Sequence, residues 1–284
     1  MADPTPDELA RLATDVAREA GALIRARYDE PRQVSTKSAA IDLVTDTDRA
    51  AERLILDRLR AAFPEHAILS EETGTIAGAG GRSSFCWVID PLDGTTNFAH
   101  GVPQFAVSIA CVRALGSAAS PILELGAAQA VAGAVYDPMR DEMFAASEGG
   151  PASLNGRPIA VSTERVLDAS LLATGFPYDR REKLEQYLGF WRALMVRARD
   201  IRRMGAAALD LAWVACGRVD GFWEWRLQPW DVAAGSLVVR RAGGRVSDFT
   251  GAEPGVDATQ TLATNGRIHD ELLAVIAALR AGDA

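Results

Sequence analysis

The stretch from Phe85 to Phe98, FCWVIDPLDGTTNF, constrains this chain more than any other. Its apolar run, Phe85 to Ile89, reads as a short buried strand that delivers Asp90 to its end. Pro91 then sets a turn, because its ring fixes φ and removes an N–H donor. Asp93 comes round so that both carboxylates can face one point. Gly94 permits a tight backbone path. Thr95, Thr96 and Asn97 suit the mouth of a helix, where free N–H groups and the dipole attract anions. Acids facing a cation site, beside N–H groups facing an anion site, are what metal-assisted phosphate chemistry needs. The same letters also make a good solvent-exposed turn. Acids at matching strand and helix ends elsewhere would decide between the two.

Three other segments supply them. Ala67-Ile68-Leu69 reads as a strand ending in Ser70-Glu71-Glu72. Asp42 and Asp48 bracket Thr45 ahead of a helix over Arg49 to Ala62, with Thr47 or Asp46 as its expected N-cap. This is no calcium loop of the EF-hand type, since Ala51 sits where glycine is needed and Asp57 where glutamate is expected. Finally, Pro229-Trp230-Asp231-Val232-Ala233-Ala234-Gly235 places an acid at the opening of a helix whose small residues allow close approach to another element.

The rest of the chain is divided in character. A first amphipathic helix runs from Asp7 to Tyr28, with Leu9, Leu12, Val16, Leu23 and Ile24 at helical spacing. Thr73 to Arg82 is Gly-rich and expected as a mobile loop. Phe105–Val112, Ala127–Tyr136 and Met143–Ala146 read as strands joined by short loops, hence antiparallel. Beyond Pro151 strands and helices alternate, with helices over Arg180–Val196, Gly205–Cys216, Trp230–Ala242 and Arg267–Arg280. The expected division is residues 1–152, an N-terminal α+β half carrying most of the acids, and 153–284, an α/β half carrying Asp231.

A net charge of −8 speaks against a direct nucleic-acid surface, which rests on clustered Lys and Arg. It suits an anionic substrate only if bound cations reverse the local sign. Cys86, Cys111 and Cys216 lie in apolar runs without CxxC spacing and read as reduced core residues. His66, His100 and His269 are too dispersed for a zinc site or a Ser-His-Asp triad. There is no membrane-length apolar run and no basic-then-apolar leader, so a cytoplasmic protein is expected.

Taken in order, Asp42-x-Val44-Thr45-x-x-Asp48, Glu71-Glu72, Asp90-Pro91-Leu92-Asp93-Gly94-Thr95-Thr96-Asn97-Phe98 and Trp230-Asp231-Val232-Ala233-Ala234-Gly235 resemble the inositol monophosphatase family, over nearly the whole chain. The resemblance implies a layered αβαβα sandwich, mixed α+β, with an antiparallel N-terminal sheet. It implies Mg²⁺ as cofactor, in two or three ions. Glu71, Asp90 and the Leu92 carbonyl would hold one ion; Asp90, Asp93 and Asp231 would hold a second; Glu71 would serve a third through water. The N–H groups of Gly94 and Thr95 would take phosphate oxygens, and Asp93, Glu224 and the Ala207 backbone the polyol. The Thr95 hydroxyl, tied to Asp48, and Glu71 would orient the attacking water, and Lys37 would lie in a metal-responsive loop.

The activity so implied is Mg²⁺-dependent hydrolysis of a small phosphomonoester, foremost myo-inositol 1-phosphate, by in-line attack of a metal-activated water. Histidinol phosphate, fructose 1,6-bisphosphate and 3′-phosphoadenosine 5′-phosphate are alternatives within the fold. Lithium inhibition and a homodimer are further expectations. So, from another class, is a regulatory protein-binding role in transcription or ribosome assembly. Trp225-Arg226 departs from the common family pattern; Arg226 could add an anion contact, while Trp223, Trp225 and Trp230 read foremost as core. Arg202 and Arg203 read as surface or interface charges.

Overall fold

The two amphipathic stripes near the N-terminus become α1 (Pro6–Ala26) and α2 (Asp46–Ala62), packed side by side in a computed structural model that describes residues 3–30, 34–36, 43–80, 83–114, 126, 128–257 and 259–281. Lys37 and Asp42 lie outside those residues. α1 begins at a capping box, Thr5 with Glu8, behind Pro6. α2 begins at Thr45, not at Thr47 or Asp46: the Thr45 hydroxyl accepts the N–H groups of Thr47 and Asp48, and Asp48 reaches back to the Thr45 N–H. A threonine three residues ahead of an acid satisfies two helix-end donors at once, which a lone Asp cap does not.

Beneath these helices lies an eight-stranded sheet in the order β10-β9-β8-β7-β6-β5-β3-β4. Its members are β3 (Ala67–Ser70), β4 (Gly74–Ile76), β5 (Phe85–Asp93), β6 (Ala106–Ala114), β7 (Ala128–Asp137), β8 (Glu142–Ser147), β9 (Ser153–Leu154) and β10 (Arg157–Pro158). The short β1 (Val34–Thr36) and β2 (Leu43–Thr45) form a separate antiparallel pair. All neighbours in the large sheet are antiparallel except β3 and β5, which run parallel. That exception matters, because it brings the C-terminal ends of β3 and β5, with Glu71 and Asp90, to the same edge of the sheet. Part of the Gly-rich segment expected as a loop is β4, paired with β3.

A second, five-stranded sheet has the order β12-β11-β13-β15-β14, formed by β11 (Leu171–Thr174), β12 (Asp200–Arg202), β13 (Gly221–Trp225), β14 (Arg245–Ser247) and β15 (Gln260–Thr264). The remaining helices are the short α3 (Thr95–Ala99), α4 (Leu184–Met195), α5 (Ala207–Ala215), α6 (Pro229–Arg241) and α7 (His269–Ala281). α4 and α7 cover one face of the second sheet, where Tyr187, Phe190, Leu272 and Ile276 meet Leu172, Trp223 and Leu262. α5 and α6 fill the space between the two sheets.

Strand alternation explains the stacking. On β5, Trp87 and Ile89 face α1 and α2, while Cys86 and Val88 face α5 and α6. Both faces are covered, so the strand is apolar throughout. The layers are therefore α1/α2, large sheet, α5/α6, small sheet, α4/α7, the expected αβαβα sandwich. The small residues of α6 do what small residues allow: a Cβ on Gly133 of β7 would stand 3.0 Å from the Ala234 backbone, and one on Gly235 would stand 2.7 Å from Leu211 of α5. α6 is thereby seated close against the large sheet, carrying Asp231 with it.

Candidate active site

β5 does not stop at Asp90. It continues to Asp93 through a register shift between the two aspartates, so Pro91 sits in an irregular strand and not in a free turn. Such a bulge re-aims side chains next to functional sites. Here it turns Asp90 and Asp93 to one side, and α6 brings Asp231 to meet them. One carboxylate oxygen from each of the three lies within 4.8 Å of the others. Ser108 on β6 donates to the Trp230 carbonyl at 3.0 Å and so ties the start of α6 to the strand beside β5.

Each acid is held. The Leu92 N–H donates to Asp90 Oδ1 at 3.0 Å. The Ala208 N–H, in the first turn of α5, donates to Asp93 Oδ2 at 2.7 Å, which links β5 to a helix N-terminus. The Gln228 N–H donates to Asp231 Oδ2 at 2.6 Å. Asp231 is thus the third residue of α6 and bonds back to its cap, not the residue that opens the helix. Glu71 follows β3, its N–H donating to the Ile89 carbonyl at 3.2 Å and its carboxyl hydrogen-bonded to Asp90.

The acids oppose one another's charge. Burial, then the Glu71, Asp93 and Asp231 carboxylates, push the Asp90 carboxyl well above the usual range. Burial drives Asp93 up to about 7 against the pull of the Ala208 N–H. Asp231 is raised by burial and then by Asp93. Four acids in one seam, all oxygen donors, form a set that fits a hard divalent cation.

Beside the acids lies a tight turn at the mouth of a short helix. Gly94 adopts φ +91° and precedes the single-turn α3. No other residue fits there: a Cβ would stand 2.9 Å from the Gln104 carbonyl as well as being strained. Asn97 Nδ2 donates at 2.8 Å to the carbonyls of Gln104 and Met204, so this turn is sewn to the loop ahead of α5. The Thr95 hydroxyl lies 2.9 Å from Asp48 Oδ1 and 3.1 Å from the Leu92 carbonyl, able to donate to either. Burial raises the Asp48 carboxyl, while donors from Thr45 and Thr95 pull it down.

Glu224 of β13 is buried with its carboxylate against Gly175, where an added Cβ would lie within 2.3 Å of it. Burial raises it to about 8, partly offset by Arg203. Ala207 is the first residue of α5, beside the N–H that holds Asp93. Arg226 has φ +57° and its side chain is 3.1 Å from Asp179, so it is engaged in an ion pair. Trp223 and Trp225 are core residues.

Three buried acids escaped the sequence reading, one of them Asp137, which is ion-paired with Arg140. Asp210, on α5, is 1% exposed and neither carboxyl oxygen has a hydrogen-bond partner; burial, then Glu224 and Asp93, raise it far above the usual range. A lone acid inside AALDLAWVA was the available signal. Glu52, on α2, accepts hydrogen bonds from Ser70 and Thr73. Its signal was spacing: it stands one helical turn after Asp48.

Comparison with known proteins follows the same lines. A family model described as the inositol monophosphatase family matches residues 5–281. The "Nus factor SuhB" of Pseudomonas aeruginosa is 46% identical over 268 residues, 93% of this chain and 94% of that protein. The "Inositol-1-monophosphatase" of Synechocystis is 44% identical over 267 residues, 94% of this chain and 88% of that protein. Among solved structures, the extragenic suppressor protein suhB of Bartonella henselae superposes with a TM-score of 0.85 at 40% identity, covering 95% of this chain and 98% of that one.

Proposed function

The chain belongs to the inositol monophosphatase family of phosphatases, and on that premise we propose that it hydrolyses myo-inositol 1-phosphate to inositol and phosphate with Mg²⁺ as cofactor. The observation that carries the reading is the meeting of Asp90, Asp93 and Asp231 from β5 and α6, with Glu71 alongside and the tight turn at Gly94 next to them.

In this reading Glu71, Asp90, Asp93, Asp231 and the Leu92 carbonyl hold two or three ions. When bound, Mg²⁺ neutralises the seam and the phosphate and lowers the pKa of a coordinated water. The protein's own groups do the rest. Gly94 and Thr95 present N–H groups to phosphate oxygens at the mouth of α3. Thr95, donating to Asp48, leaves its hydroxyl oxygen free to accept a hydrogen bond from the attacking water; Asp48 is the buried acceptor that fixes that orientation. Asp93, the Ala207 backbone and Glu224 face the polyol. No cysteine, histidine or serine nucleophile is needed.

Myo-inositol 1-phosphate is favoured over fructose 1,6-bisphosphate and 3′-phosphoadenosine 5′-phosphate on one structural ground; histidinol phosphate, with a single phosphate, is left to the test. Arg226, the residue that would welcome a second phosphate, is already paired with Asp179. A phosphate-release screen over the four substrates, with Mg²⁺ and with or without lithium, tests this. Lithium-sensitive release from myo-inositol 1-phosphate is expected; faster release from a bisphosphate overturns the substrate assignment.

The reading also carries a cytoplasmic, homodimeric protein. Leu184 and Met195 of α4, with Val196, leave an apolar stripe 50–74% exposed, which supports a self-contact. Among the described residues no helix is long and apolar enough to cross a membrane. A second role, through a protein partner, is favoured by the name Nus factor on a 46% identical relative. Complementation by an Asp93→Asn variant separates the two: retained cellular function without phosphatase activity would assign that function to partner binding.

A further inference from the structure

Glu52 is 4% exposed in the middle of α2, yet its carboxylate is not paired with any cation among the described residues. Its partners are the two residues that bracket Glu71-Glu72. The Ser70 hydroxyl and the Thr73 N–H both donate to Oε1, the latter at 2.9 Å. The Thr73 hydroxyl donates to Oε2 at 2.7 Å. One side chain therefore grips both ends of the turn that carries Glu71.

Residues four apart on a helix share a face. Asp48 and Glu52 are so placed, and their grips are parallel: Asp48 holds the Thr95 hydroxyl, and Glu52 holds the turn after β3. α2 thus acts as a ruler that sets the spacing between the two. We propose that Glu52 is a positioning residue for Glu71, fixing the turn so that the Glu71 carboxylate stays against Asp90 and the cation site exists before a cation arrives. It acts through the backbone of residues 70–73 and touches neither substrate nor ion. The inference rests on the Mg²⁺ reading of the seam.

The donor pattern makes the idea separable from a simple effect of charge. A glutamine at position 52 keeps an acceptor for Ser70 and the Thr73 N–H, and its amide can donate to the Thr73 hydroxyl oxygen. Geometry is retained while the charge is lost. Alanine loses both.

The test is calorimetric Mg²⁺ titration, with Mg²⁺-dependent phosphate release, on wild type, Glu52→Gln, Glu52→Ala and the double variant Ser70→Ala/Thr73→Val. Partners that orient metal ligands cost about 10- to 100-fold when removed. Glu52→Ala is expected to weaken Mg²⁺ binding by about 10-fold or more, with turnover at saturating Mg²⁺ altered by less than about threefold. Glu52→Gln should stay close to wild type. The double variant, which removes two donors and leaves the core of α2 intact, should weaken binding in the same direction and carries the test should the alanine variant not fold. Wild-type Mg²⁺ affinity in either broken variant overturns the inference, and so does a Gln variant as impaired as the Ala variant. A wild-type protein that takes up no Mg²⁺ is a different result: it overturns the metal reading itself.

Discussion

Glu52 and Asp90 are both buried carboxylates, about equally deep, and the molecule treats them in opposite ways. Glu52 meets three donors. Asp90 meets one N–H donor and three acids, and its carboxyl is driven far above the usual range by burial and by those neighbours. A buried charge is tolerable when hydrogen bonds replace its lost hydration. By that standard Glu52 is complete as it stands, whereas Asp90 faces more acids than donors, which is what the proposed cations would offset. Burial alone does not distinguish a structural acid from a functional one; the identity of the neighbours does.

The sharpest way to break that comparison is to neutralise one acid in each region. Asp90→Asn removes the ligand that the proposal shares between ions. Several kcal/mol of transition-state stabilisation then correspond to a fall in turnover of about a thousandfold or more. The same change should raise the thermal midpoint of the Mg²⁺-free protein, because it removes a like-charge contact, whereas Glu52→Ala should lower it. Near wild-type turnover in Asp90→Asn, or a loss of stability in metal-free protein, would set the comparison aside. Thr95→Ala comes next: proton positioning is worth about 100-fold or more in rate, with Mg²⁺ affinity close to wild type. Calorimetry showing the reverse would reassign Thr95 to metal binding.

The seam also makes a pH signature. Asp93 is raised to about 7 and Glu224 to about 8, both above their unfolded values, so between about pH 5 and about pH 8 the folded state binds more protons than the unfolded one. Stability of the metal-free protein should therefore fall as pH rises through that window, and saturating Mg²⁺ should flatten the fall. Thermal melts across the window check this; a rise in stability with pH would contradict it. The smallest effect is expected from Glu224→Gln, which should lower turnover of myo-inositol 1-phosphate relative to p-nitrophenyl phosphate by about 10-fold, the scale of one lost hydroxyl contact. An unchanged ratio removes Glu224 from the polyol site.

Much of this was legible in the residues, and the reasons are specific. Two chain-local patterns, apolar alternation in β5 and the Asp-Pro-x-Asp-Gly run, locate Asp90 and Asp93 without tertiary information. The small residues after Asp231 correctly announced a close helix seat, seen at Gly235 against Leu211. What local pattern did not show was long-range. The parallel pairing of β3 with β5 is invisible in either strand, yet it puts Glu71 beside Asp90. Pro91 looked like a turn because proline usually ends a central strand, but a bulge accommodates it. Asp210 and Glu52 went unnoticed because a single acid in a helix is ordinarily solvent-facing; only packing reveals which ones are not.

The most direct test of the seam as a cation site is Mg²⁺ titration by calorimetry near pH 7, run in two buffers of different ionisation enthalpy. Acids held above their usual range must give up protons when a cation binds. Binding that releases protons in the wild type and is lost in Asp90→Asn is the expected result. No binding, or binding of equal strength without proton release in both proteins, would contradict it.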